Sequence, residues 1–148
     1  MENQNRKKTE EALAEIYRNA QLALQSISNI LPEVEDPRVR EELTTQHEEY
    51  ERFSARASML AKDMGLELKE PNVMKKAMMW GSIKMNTMTD NSRAHIAEMM
   101  VQGTVMGITA LRTTLGEVPE DGNDEIIALL EEMLRMEEDY EKKWKEYL

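Results

Sequence analysis

Along most of this chain apolar residues recur in steps of three and four, the spacing that turns one side of an α-helix toward its neighbours. In the first segment Leu13, Ile16, Tyr17, Ala20, Leu24, Ile27 and Leu31 share that stripe and Pro32 ends it, which predicts a helix from about Arg6 to Ile30. Asp36 can then cap and Pro37 can open a second helix. Its stripe is Val39, Leu43, Gln46, Tyr50, Phe53, Ala57, Leu60 and Met64, with Gln46 as the one polar member. Gly65 suits the position just past the end, so this helix spans about 37 to 64. A third segment runs from Pro71 to about Met88, where Thr89, Asp90 and Ser92 offer caps. A fourth helix is predicted from about Asp90 to Leu115, closed by Gly116 and Pro119, and a fifth from about Asn123 to the end of the sequence.

Two departures from the simple pattern carry information. The last helix places Ile126, Leu130, Met133, position 137, Tyr140, Trp144 and Tyr147 on one face, and position 137 is Glu. A carboxylate therefore stands where the stripe asks for a Leu. The fourth helix, by contrast, has no charge from Met99 to Leu111, "MMVQGTVMGITAL". A helix apolar on all sides needs cover on all sides, and this one is too short and too polar to span a membrane. The 71–88 segment, about 27 Å long if helical, is the expected cover and the connection back along the bundle. Gly103 and Gly107, four residues apart, are expected to let another helix come close.

Four long helices with two short connections and one end-to-end crossover describe an all-α, ferritin-like up-down bundle with an additional crossover helix. In layout the hairpin, the crossover with "KKAMMWGSIKMN", the "TDNS" break and the second hairpin through "EMMVQGTVMGITALRTTLG" resemble the little-characterised bacterial ferritin-like domains that carry a helix between their hairpins. The resemblance covers nearly the whole chain and implies a layer of metal ligands across the bundle: a Glu from each of two helices and a Glu-x-x-His from each of the others. Counting about 14 Å inward from the common end brings Gln21, Gln46, His47, Glu98, Gln102 and Glu137 to one level. Of the expected carboxylates Glu98 and Glu137 are in place. Gln21 stands for a Glu, and Glu137-x-x-Tyr140 lacks the His. The two-metal pattern is thus degenerate, and the expected role of Gln21, Gln46, Glu98, Gln102 and Glu137 is a hydrogen-bonded polar core layer. The alternative is an iron or manganese site on Glu98, Glu137 and His47.

Composition narrows the function classes. The chain has 148 residues, a length suited to a single domain, 1–148. Its net charge of -10 opposes binding to nucleic acid and to anionic membrane surfaces. Without cysteine there are no disulfides and no thiolate sites. The opening "MENQNRKKTEEALAEI" has no apolar core of a signal peptide, so a cytoplasmic location is expected. His95 has no second His at ligand spacing in the sequence, and no Ser-His-Asp set, glycine-rich phosphate loop or Walker-like element is evident. Thirteen methionines, including Met74, Met78, Met85, Met88, Met99, Met100 and Met106, suit core packing, with Cu(I) binding as an alternative.

The crossover segment shows a second apolar patch, Met79, Trp80 and Ile83, turned away from the first. Aromatic and Met side chains are enriched at interfaces, so a homodimer meeting around Trp80 is expected, the alternative being that Trp80 packs within its own chain. The expectation for function is a non-enzymatic bundle, with no catalytic residues and no cofactor, acting through self-association or a protein partner. The alternatives are a metal-binding or iron-oxidising protein, and a Met-rich copper binder.

Overall fold

The structure is a computed structural model that describes residues 2–69 and 90–148, and all of its regular structure among them is helical. Helix α1 spans Glu2–Ile30, a short 3-10 turn covers Leu31–Glu33, α2 spans Pro37–Asp63, α3 spans Arg93–Glu117 and α4 spans Asp124–Glu146. The third predicted helix, with Met74, Met78, Met85 and Met88 and with the Met79, Trp80 and Ile83 patch, lies outside the described residues.

Capping chemistry fixes the helix ends. The Asp36 carboxylate accepts from the backbone N–H of Arg38 at 2.9 Å and of Val39 at 3.2 Å, and Pro37 fills the first turn of α2. Gly65 follows α2 with φ at +69°, a conformation that side chains with a Cβ resist. Ser92, not Asp90, caps α3, through His95 N–H at 3.3 Å, while Asp90 accepts from Ser92 N–H at 2.8 Å. The helix thus starts at Arg93, a few residues later than its first polar residue suggests. Asn123 caps α4 through Glu125 and Ile126.

The helices pack as two hairpins, α1 with α2 and α3 with α4, closed on each other mainly through α1. Direction follows from pairs far apart in sequence. Gln21 meets Ser54 and Ser28 meets His47, so α1 and α2 are antiparallel. Gln46 meets Trp144 and Arg56 meets Glu132, so α2 and α4 are antiparallel as well. The start of α3 returns to the start of α2, where Arg93 bridges Asp36 at 2.7 Å and Asn91 donates to the Glu33 carbonyl. That guanidinium also lies 5.8 Å from the Tyr147 ring, so the starts of α2 and α3 gather at the end of α4. The Arg93 bond, ahead of the backbone bonds, holds the Asp36 carboxyl below its ordinary value.

The predicted stripes form one core, in which Leu13, Ile16, Leu43, Leu111, Met133 and Trp144 are fully buried. Helix α3 departs from expectation. Its buried stripe is Ile96, Ala97, Thr104, Gly107, Ile108 and Leu111, whereas Val105 is 40% exposed and Met106 74% exposed on the opposite side. Lack of charge there does not entail burial, because α1 and α4 cover one side of α3 only.

Candidate functional site

Glu137 answers the irregularity in its helix. Within α4 it follows Met133 by four residues and precedes Tyr140 by three, so packing that stripe inward takes its carboxylate in as well. It is 2% exposed, and among the described residues it is the one charged side chain in the core. Three other helices meet it. Asn19 on α1 donates its amide N–H to Oε1, and Tyr50 on α2 donates its hydroxyl to Oε2 at 3.0 Å. On α3 the residue at this level is Gly107. A Cβ there would sit 2.5 Å from Oε2 and 3.1 Å from Oε1 of Glu137, and 3.0 Å from the Asn19 Oδ1. The missing side chain of Gly107 is the space that the carboxylate occupies.

The electrostatics follow from that enclosure. Burial pushes the Glu137 carboxyl up to about 7, and the bonds from Tyr50 and then Asn19 act against it by favouring the charged form. Burial, and next the Glu137 charge, raise the Tyr50 phenol well above its ordinary value, so it stays a donor. Glu137 can therefore hold or release a proton near neutrality, in a place closed to solvent.

The remaining members of the expected layer separate into other groups. Gln46, 1% exposed, accepts the Trp144 indole N–H on its Oε1 at 3.2 Å and donates to Glu42 at 2.9 Å. Glu42 in turn faces Lys143 at 3.6 Å. Tyr140 stacks obliquely on Tyr50, with ring centroids 5.8 Å apart, and burial, then the Glu49 carboxylate, push its phenol up. Gln21 is half-buried and donates to Ser54 at 2.6 Å. Glu98 and Gln102 are exposed on α3. Glu98 lies nine residues before Gly107, about 14 Å along the helix, so Glu98 and Glu137 do not converge. His47 lies on the α1–α2 seam, with Nε2 3.3 Å from Ser28 Oγ and Nδ1 2.7 Å from Glu51 Oε1. Among the described residues no three His, Asp or Glu side chains gather closely enough to hold a metal ion.

Counting equal distances from the helix ends thus selected the wrong partners on α1, α2 and α3. The true level runs through Asn19, Tyr50 and Gly107, and it lies thirteen residues into α2 and fourteen into α3 but nine from the end of α4. A signal for two of these was present. A Tyr on a buried stripe brings a hydroxyl that needs a partner, and the spacing of Gly103 and Gly107 marks a place of close approach. Asn19 shares the inward face of α1, three residues after Ile16. No helix among the described residues is long and apolar enough to cross a membrane. Compared with protein-family models, with curated proteins and with solved structures, the chain finds no match.

Proposed function

We propose that this chain is a ferritin-like bundle that works through association, as a homodimer, and that its central carboxylate is a structural proton-holding group. The observation that carries the reading is the closure of Glu137. Where the resemblance would set a metal ligand, both carboxylate oxygens accept hydrogen bonds from the chain itself, and the Gly107 gap is filled. A metal there needs several further donors, and α3 offers Gly107 at that level. Association is supported by the uncharged outer side of α3, where Val105 and Met106 stand exposed beside Gly103. Apolar groups of this kind, grouped on one face, are typical of contact surfaces. The crossover, with Trp80, belongs to the same proposal as a second part of that surface.

Sedimentation equilibrium on the wild type, Met106→Glu and Trp80→Glu tests it. The expected result is a wild-type dimer and folded monomeric variants. A wild type that is monomeric at high micromolar concentration overturns association. Stoichiometric iron or manganese in the purified protein, lost on Glu137→Ala, overturns the structural role of the carboxylate.

A further inference from the structure

Outside the core, the α1–α2 hairpin brings together three groups whose order is that of a nucleophile, a base and an orienting acid. We propose that Ser28, His47 and Glu51 form an acyl-transfer site that takes small, neutral or cationic activated esters. This stands apart from the association reading and uses none of its residues.

The nitrogens are correctly assigned for the task. His47 Nδ1 is 2.7 Å from the Glu51 carboxylate, which accepts only, so the neutral imidazole carries its proton on Nδ1 and its lone pair on Nε2. That nitrogen is the one 3.3 Å from Ser28 Oγ, the connectivity that activates a hydroxyl through a positioned imidazole. Glu51 follows His47 by one helical turn, so α2 itself sets their pairing. The register of the hairpin sets the rest: Gln21 and Ser54 pair seven residues earlier on α1 and seven later on α2, on the same seam.

Ser28 also departs from the habit of its neighbours. Hydroxyls inside helices usually turn back to the carbonyl four residues earlier, as do those of Thr9, Ser26, Thr44, Thr104 and Thr109 here. Ser28 instead points across to another helix. It is exposed, and the His47 side chain is 30% exposed, so a substrate can reach both.

In the reaction, Ser28 Oγ bonds to the acyl carbon while its proton passes to His47 Nε2. The bond from acyl carbon to the ester oxygen breaks, and the alcohol leaves with that proton, giving acyl-Ser28. Water then attacks the acyl carbon with His47 as base, which releases the carboxylic acid and restores Ser28. Backbone N–H groups within α1 are engaged in the helix, so they offer little to a developing oxyanion. Only esters with good leaving groups are therefore turned over. The exposed carboxylates of Glu48 and Glu51 and the net charge of -10 disfavour anionic acyl donors.

The test is reaction of the full chain with p-nitrophenyl acetate, read by nitrophenolate release and by peptide mapping of the acetyl group. The expected result is acetyl-Ser28 in the wild type, absent in Ser28→Ala. His47→Gln is expected to slow acetylation of Ser28 by about 100-fold or more, as loss of a general base does, and Glu51→Gln by a smaller factor. Circular dichroism confirms that each variant is folded. Acetylation confined to lysines, or an unchanged Ser28 rate in His47→Gln, overturns the proposal. A fluorophosphonate probe on the wild type gives a second reading: a label on Ser28 supports the site, and no label there refutes it.

Discussion

Replacing Gly107 by Ala sets helix propensity against packing, and the structure says which wins. In a helix interior Ala is favoured over Gly by about 1 kcal/mol. The new Cβ, however, would lie 2.5 Å from Glu137 Oε2, well inside contact distance. Glu137 cannot swing away without breaking the bond from Asn19 or from Tyr50. Overpacking of this kind costs about 1–3 kcal/mol, and a buried donor left without its acceptor costs about another 1–3 kcal/mol. Set against the propensity gain, the net expectation is a loss of about 1–5 kcal/mol. Gly103 is the internal control, because a Cβ there meets nothing within 4 Å; Gly103→Ala should gain up to about 1 kcal/mol. Urea unfolding followed by far-UV circular dichroism measures both, read as midpoint shifts at constant slope. In a Glu137→Ala background the carboxylate is gone, and Gly107→Ala should become neutral or stabilising. If Gly107→Ala stabilises the wild type as much as Gly103→Ala does, the packing of α3 on the carboxylate is wrong.

The pH dependence of Glu137 has a definite sign. Its folded value, about 7, lies above the ordinary 4.5, so the folded state binds the extra proton between those values. The resulting stability is full below about pH 4.5, declines as pH rises toward 7 and is lost above it, a difference of about 3 kcal/mol. Glu137→Gln should remove that slope, so that urea midpoints of wild type and variant diverge in favour of the variant above neutrality. Tyr50→Phe deletes a bond that favours the charged carboxylate; carboxyl-carbon NMR should find the Glu137 titration moved further up, and thermal unfolding should show a loss of about 1–3 kcal/mol. Trp144→Phe removes the indole donor to the buried Gln46 and should cost about 1–3 kcal/mol in urea unfolding, with helicity unchanged.

Local chemistry made much of the fold legible in the sequence. Stripes with a 3.6-residue period, Asp36 and Pro37 at one helix start, Asn123 at another and Gly65 at an end depend on residues a turn or so apart, and each acts where the sequence places it. For the same reason Glu137 stood out as a carboxylate on an inward face. Its partners were another matter. Asn19 is 118 residues from Glu137 and Tyr50 is 87 residues away, and which of several polar residues meets it depends on the relative heights of the four helices. Those heights come from packing, which passes over Gln21, Glu98 and Gln102 and selects Asn19, Tyr50 and Gly107. Ser28 carries no signal in the sequence and His47 reads there as a candidate metal ligand; the antiparallel register of α1 on α2 joins them. Periodicity states which side of a helix faces inward; rotation, stagger and close approach between helices decide which atoms touch.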